Sequence, residues 1–338
     1  MRFVIYGAGG VGGVIGAELF RAGKAPVLIA RGRHLEVICE AGLRYQTPST
    51  DERLPIEAVA HPAEIALRGD EVFVLTMKSQ HTGGALDTLR ETLGDRVPVV
   101  CCQNGVANER MALRRFETVY AMLVYLPAQL TVPGEVQCHA GLAPGVLDLG
   151  RYPRGIDAMA EEIAVELEAV GFSIRPDSTV MRFKYAKLLA NLNNALDAVA
   201  PGGERAQGLR ERMVEEGRAC FRAASIDWAS DQEVRDRREG SFAFADIPGV
   251  PRQGGSSHQS LIRGTGDIEA DYLNGEIVLL GRLHGVPTPA NAVLQRLAVA
   301  CALERRPPAS VSLEEVERLV EEEADRAAPA GAARRTFS

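Results

Sequence analysis

The sequence predicts an α/β fold: an N-terminal doubly wound sheet followed by a C-terminal all-helical domain. Two patterns carry this. Short, wholly apolar runs alternate with amphipathic stretches through the first half, and from about Ser178 apolar residues recur at three- and four-residue steps. The expected strands are Arg2–Tyr6, Pro26–Ala30, Glu71–Thr76 and Val97–Cys102, with helices at Gly12–Ala22 and Gly84–Leu93 between them. Strands apolar on both sides imply a parallel sheet covered on both faces. After Asn104, strands at Thr118–Leu126, Glu135–His139 and Gly145–Leu149 joined by Pro-Gly turns suggest an antiparallel or mixed extension of that sheet. One further αβ unit follows at Ile156–Ile174. Helices are expected at Val180–Ala200, Gly208–Ala224, Ile268–His284 and Asn291–Leu303, with a loop at Pro248–Ser257. The domains are therefore expected at 1–178 and 179–320, with a flexible tail at 321–338.

Composition agrees with a soluble globular protein. The 338 residues are 46% hydrophobic and 25% charged, enough for about two packed cores. A net charge of -7 argues against nucleic acid or an acidic membrane surface as partner. No apolar run reaches the ~20 residues of a spanning helix, and the N-terminus lacks a signal peptide's layout. A cytoplasmic location is expected. The six cysteines show no metal-binding spacing and read as reduced core thiols; no metal is expected.

The first local signal is Gly7-Ala8-Gly9-Gly10-Val11-Gly12-Gly13, after a strand and opening a helix. Gly7 permits the tight turn, Gly9 lets backbone approach a pyrophosphate, and Gly12 lets the helix pack closely on the strand. The helix N-terminus offers its amides to phosphate. This makes the first domain Rossmann-type, with Gly7, Ala8, Gly9, Gly10, Val11 and Gly12 as cofactor-binding residues. An NAD site wants a carboxylate at the end of the second strand. Here Ala30-Arg31-Gly32-Arg33 follows instead, and Arg31 or Arg33 can meet a phosphate, so NADP(H) is favoured.

Ligands of open α/β sheets lie beyond the strands' carboxyl ends. Lys78 follows the third expected strand and Asn104 the fourth. On the helix that begins near Val180, Lys184, Lys187, Asn191 and Asn194 share one face. Lysines with amides and no acid suggest an anionic or carbonyl ligand.

At this point the chain resembles the ketopantoate reductase family of NADPH-dependent 2-dehydropantoate reductases. The resemblance rests on the glycine turn, Arg31, Lys78, Gln103-Asn104-Gly105 and Lys187…Asn191. It extends through Ser256-Ser257, Glu269-Ala270-Asp271-Tyr272-Leu273-Asn274-Gly275 and Gly285-Val286-Pro287-Thr288-Pro289…Asn291, to about Leu303. It implies an NADP-dependent oxidoreductase of pantothenate biosynthesis, reducing the ketone of a 2-oxo acid, with Lys187 as general acid and Glu269 on the substrate hydroxyl. Asn104, Asn191, Asn194 and Ser257 would line the substrate, with Lys78 and Asn104 near the cofactor. An ammonium at the ketone oxygen stabilises growing negative charge and donates the proton. Lys184 is the rival donor; Lys187 is preferred because it stands four residues before Asn191.

The departures are Ala195-Leu196 where the family has Asn then Pro, Ile268 where it has Thr, and His258 where Met often stands. They leave open a different ketone or imine substrate. A non-catalytic NADP(H)-sensing module is the other alternative, disfavoured by the presence of both Lys187 and Glu269. The partner is a small-molecule 2-oxo acid, and since helical second domains often dimerise, a homodimer is one expectation. The basic cluster Arg235-Asp236-Arg237-Arg238 reads as a solvated helix face.

Overall fold

A computed structural model describes residues 1–241 and 243–327. Its packing divides the chain into two units, Met1–Leu188 with Trp228–Gln253, and Leu189–Asp227 with the chain from Gly254 onward.

The first unit contains all the named strands. β1 (Arg2–Tyr6), β2 (Val27–Ile29), β5 (Glu57–Val59), β6 (Glu71–Leu75), β7 (Val99–Cys101), β8 (Val119–Met122) and β11 (Leu149–Arg151) form one sheet in the order β11-β8-β7-β6-β1-β2-β5. Every pair is parallel except β8 with β11. This is the doubly wound order, in which strand direction of winding reverses beside β1 and ligands sit past the strand ends. Alternate residues face opposite cores: Phe3 and Ile5 join one cluster, Val4, Phe73 and Leu75 the other. That two-sided burial is why the strands read as unbroken apolar runs.

A second sheet was not expected. β3 (Leu43–Gln46), β4 (Asp51–Leu54), β9 (Ala128–Gln129) and β10 (Glu135–Cys138) pair in the order β4-β3-β10-β9. The stretch after Asn104 thus splits, since β11 extends the main sheet while β9 and β10 leave it. The reason lies in α1 (Gly10–Arg21), which is buried continuously from Gly12 to Leu19. A side chain at Gly13 would meet Val136 of β10 at 2.7 Å, so the second sheet covers the face of α1 that would otherwise meet water. The other helices of this unit are α2 (Gly32–Ala41), α3 (Thr82–Leu93), α4 (Asn108–Leu113), α5 (Ala158–Glu168), most of α6 (Val180–Asn191) and α9 (Asp231–Arg238).

Helix α9 corrects one expectation. Arg237 is not solvated: its guanidinium grips Asp148 through two contacts of 2.6 Å, and Asp148 is fully buried. Arg238 lies over the Tyr125 ring at 4.9 Å. With Gln129 bonded to the Pro251 carbonyl and the Gln253 amide, these contacts tie 228–253 to the first unit. Between Trp228 and Gln253 the chain thus returns to the first unit.

The second unit is helical, with α7 (Asn193–Val199), α8 (Gln207–Ala223), α10 (Ser256–Arg263), α11 (Asn274–His284), α12 (Pro289–Leu303) and α13 (Leu313–Ala327). The expected helix Val180–Ala200 breaks at Leu192, and Glu269–Tyr272 is a separate 3-10 turn before α11. Residues 321–327 continue α13, whose Leu313, Val316 and Val320 are buried, where the composition suggested a frayed tail. The rest of that tail, 328–338, lies outside the described residues. No described helix is long and apolar enough to cross a membrane.

Candidate active site

Gly7 has a φ of 111°, and a side chain there would lie 2.7 Å from the Met77 amide. A side chain at Gly12 would fall 2.2 Å from the Gly7 carbonyl and 2.4 Å from Thr76 Oγ1. Both positions demand glycine, one for the turn and one for helix-on-strand contact. Gly9, the N-cap of α1, has nothing within 4 Å of where its side chain would be. The first turn of α1 has no capping side chain and no acidic residue. Its leading amides, those of Gly10, Val11 and Gly12, have no intrahelical acceptor. The carbonyl of Ala8 accepts from His34, a residue the sequence reading did not connect with the turn.

At the end of β2 stand Ala30, Arg31 and Gly32, with no carboxylate. The two arginines behave differently. Arg33 pairs with Glu36 and Glu40 of its own helix, whereas exposed Arg31 approaches His81 Nε2 at 3.2 Å. His81 ends the short 3-10 turn Ser79–His81, for which Lys78 is the N-cap. Lys78 directly follows Met77, the residue packed against Gly7.

The loop after β7 is held by a buried amide and hydroxyl network. Gln103 Nε2 donates to the Met77 carbonyl and to Thr82 Oγ1, at 2.7 and 2.8 Å. Thr82 Oγ1 donates to Asn108 Oδ1, whose Nδ2 reaches Ser79 Oγ and the Asn104 carbonyl. The Asn104 side chain is left to meet Lys187, whose Nζ donates to Asn104 Oδ1 at 2.7 Å. Lys187 also donates to the Val124 carbonyl and lies 4.9 Å from the Tyr125 ring centroid. Burial raises the Tyr125 phenol above its ordinary value, with the Arg238 charge pulling the other way. Tyr125 had no motif to mark it.

Lys184 has a different environment. Its ammonium is 2.6 Å from Glu109 and donates to the carbonyls of Gln103 and Met122 at 2.9 and 3.1 Å. Both charged side chains are buried, at 2% and 0% exposure. The ammonium donates to two backbone carbonyls, and its charge is met by Glu109 inside the protein. The acid absent from the helix's own stripe therefore comes from α4, as Glu109.

In the second unit, Asn191 closes α6 with a buried Nδ2 that has no hydrogen-bond partner among the described residues. Such an orphan donor is rare unless something else fills it. Asn194 Nδ2 reaches Ser256 Oγ at 3.4 Å, and Ser257 is buried in the first turn of α10. Glu269 is 8% exposed and opens the 3-10 turn. Its charge acts on Arg263, at the other end of α10; burial lowers that guanidinium's pKa while Asp267 and Glu269 draw it back up. Ala195 and Leu196, the departures from the family pattern, are fully buried.

Part of the motif that carried the resemblance is structural. Asn274 Nδ2 donates to the Leu192 carbonyl, at the break between α6 and α7, and to Asn291 Oδ1. Asn291 Nδ2 donates to Glu216 Oε2 at 2.8 Å, and the amides of Ala290 and Asn291 bond the same carboxylate. Glu216 was missed by the sequence reading; one of three glutamates on an amphipathic helix gives no sign of a buried partner.

Comparison with known proteins gives one consistent result. The family pattern described as ketopantoate reductase PanE/ApbA matches residues 3–154, and its C-terminal counterpart matches 179–301. The crystal structure of a PanE/ApbA family ketopantoate reductase from Ralstonia eutropha JMP134 is 30% identical, covering 90% of this chain and 100% of that one, with a TM-score of 0.75. The 2-dehydropantoate 2-reductase of Mesorhizobium japonicum is 27% identical, over 88% of this chain and 98% of its own. That of Pyrococcus horikoshii is 25% identical, over 89% and 97%. A D-mandelate dehydrogenase solved with NADH and anilino(oxo)acetate is 22% identical at a TM-score of 0.75, which speaks for the fold.

Proposed function

The chain belongs to the ketopantoate reductase family of oxidoreductases acting on a keto group, and on that premise we propose that it reduces a 2-oxo acid, ketopantoate first among them, with NADPH. The observation that carries the reading is the Lys187 ammonium bonded to Asn104 Oδ1 at 2.7 Å, beyond the carboxyl end of β7.

The chemistry a reduced nicotinamide supplies when bound is a hydride for the ketone carbon. Gly7 through Gly12 would hold the dinucleotide's pyrophosphate: Gly9 leaves open space for it, and the uncapped amides of α1 would donate to it. Arg31 would hold the 2′-phosphate, which favours NADP(H), and Lys78 would stand nearby. As the ketone oxygen gains charge, Lys187 stabilises it and transfers one ammonium proton to it, ending as a neutral amine. Asn104 keeps that ammonium aimed. Glu269 would accept from the substrate hydroxyl, the orphan Nδ2 of Asn191 would donate to the substrate, and Asn194 and Ser257 would line it.

Steady-state oxidation of NADPH with ketopantoate tests this. Lys187→Ala should lose about 10²–10⁴-fold in kcat and bind NADPH nearly as before. Full turnover by that variant would remove Lys187 from the mechanism. A second reading keeps the chemistry and changes the substrate. It is favoured by Ala195, Leu196 and Ile268, all buried apolar residues where the family pattern differs. In a panel of 2-oxo acids, an inert ketopantoate beside an active analogue would select it.

A further inference from the structure

We propose that the buried Lys184–Glu109 pair is a positioning element for the reduction: it fixes the loop that carries Asn104 and so aims the Lys187 ammonium. The inference rests on the role given to Lys187 above. It begins with a physical oddity. Two opposite charges, 2% and 0% exposed and 2.6 Å apart, sit where apolar residues would also pack. A buried ion pair seldom adds net stability over a hydrophobic pair of similar volume, because desolvation consumes its attraction. What it adds is direction: the ammonium donates to two fixed backbone carbonyls while Glu109 meets its charge.

That geometry converges on the loop after β7. Lys184 holds the Gln103 carbonyl at 2.9 Å, and Asn108 holds the next carbonyl, that of Asn104, at 3.1 Å. Glu109, which completes the Lys184 site, follows Asn108 in α4, so one short helix supplies both anchors. With these successive carbonyls held, the backbone that carries the Asn104 side chain is fixed, and Asn104 Oδ1 accepts from Lys187 Nζ. The two lysines are three residues apart on α6 and also reach alternate carbonyls, Met122 and Val124, at the end of β8. Lys184 is therefore the rivet of the helix on the sheet, and Lys187 its working neighbour. Glu109 also cancels the Lys184 charge, which would otherwise stand unpaired one helical turn from Lys187.

The test is the double variant Lys184→Met/Glu109→Leu, which removes both charges together, read beside Glu109→Gln and Lys187→Ala. The double variant is expected to melt within a few degrees of the parent and to bind NADPH within about threefold, measured by nucleotide fluorescence. Its kcat should fall at least about tenfold, with KM for the oxo acid changed by less than about threefold. In its crystal structure Asn104 Oδ1 should no longer be in hydrogen-bond reach of Lys187 Nζ. Wild-type kcat in a folded double variant, or an intact Asn104–Lys187 bond, would overturn the proposal. Should the double variant not fold, Glu109→Gln, which keeps volume and polarity, carries the same kinetic and crystallographic expectations. Lys187→Ala separates the two readings. If it retains turnover, the role of Lys187 fails; if it is inactive while the double variant is unimpaired, only the positioning role fails.

Discussion

His34 bonds the carbonyl of Ala8, inside the glycine turn, through its Nε2 at 2.6 Å. The Gly134 amide donates to the other ring nitrogen at 2.8 Å. An amide N–H can only donate, so Nδ1 holds a lone pair and the ring proton sits on Nε2. One neutral imidazole therefore links α2, the turn before α1 and the turn before β10.

A pH dependence follows. Burial pushes the His34 pKa below its ordinary 6.5, partly opposed by its bond to Ala8. Above that ordinary value neither the folded nor the unfolded chain protonates the ring, and its contribution is complete. As pH falls through it, the unfolded chain takes up a proton first and stability is lost. Urea unfolding at about pH 8 and about pH 5.5 should show His34→Gln with a shallower loss than wild type. Equal losses in the two proteins would show that the ring is not the titrating link. NADPH affinity should also drop in the variant, because Ala8 loses its tether.

Gly12→Ala probes the turn from the other side. The added methyl carbon meets the Gly7 carbonyl at 2.2 Å and Thr76 Oγ1 at 2.4 Å, and backbone cannot give way as a flexible side chain would. Overpacking of this kind costs about 1–3 kcal/mol or more. The expected result is a lower unfolding midpoint together with at least about tenfold weaker NADPH binding, since α1 must back away from β1. Gly9→Ala meets nothing within 4 Å and should keep its stability while losing affinity. A Gly9→Ala protein that binds NADPH normally would place the pyrophosphate elsewhere.

How far the sequence disclosed these features depended on whether a pattern carries its own environment. β1, β2, β6 and β7 were legible because both faces are covered, so apart from Arg2 and Glu71 at the first positions of β1 and β6 the residues are apolar or aromatic. β4, Asp51–Leu54, is an edge strand with three exposed polar residues and offers no such run. Helical spacing put Lys184 and Lys187 on one stripe, yet spacing says nothing of what a stripe meets. Glu109 lies in another element, and only tertiary structure makes one lysine a buried strut and leaves the other beside Tyr125. Arg237 failed for the same reason, although Asp148 held a clue. A carboxylate between Leu147 and Leu149 in an apolar run needs a buried cation.

Arg31 should decide cofactor choice. It stands exposed at the end of β2, while Arg33 is occupied by Glu36 and Glu40. A charge-assisted bond to phosphate is worth about 1.5–3 kcal/mol, or roughly ten- to hundredfold in affinity. Arg31→Ala should weaken NADPH by that factor and leave NADH almost unchanged, measured by fluorescence titration of each. Equal weakening of both nucleotides would assign Arg31 to a part they share. His81→Ala, removing the neighbour at 3.2 Å, should produce a smaller change in the same direction.

The last prediction concerns the second unit. Burial raises the pKa of buried Glu216, and the amides of Ala290 and Asn291 and the Asn291 side chain offset that only in part. Asn291 is itself fully buried and joins this carboxylate to Asn274, which in turn holds the Leu192 carbonyl at the break between α6 and α7. Asn291→Ala strips one donor from a buried carboxylate and one acceptor from Asn274. Leaving buried polar groups short of partners costs about 1–3 kcal/mol, more where one is charged. Denaturant unfolding should therefore show a loss in the upper part of that range or beyond it, with an unchanged m-value. Because the remaining bonds favour the charged form and burial favours the neutral one, removing a donor should make the variant comparatively more stable toward acid pH. A variant as stable as wild type at neutral pH would mean that the carboxylate already draws its solvation from water.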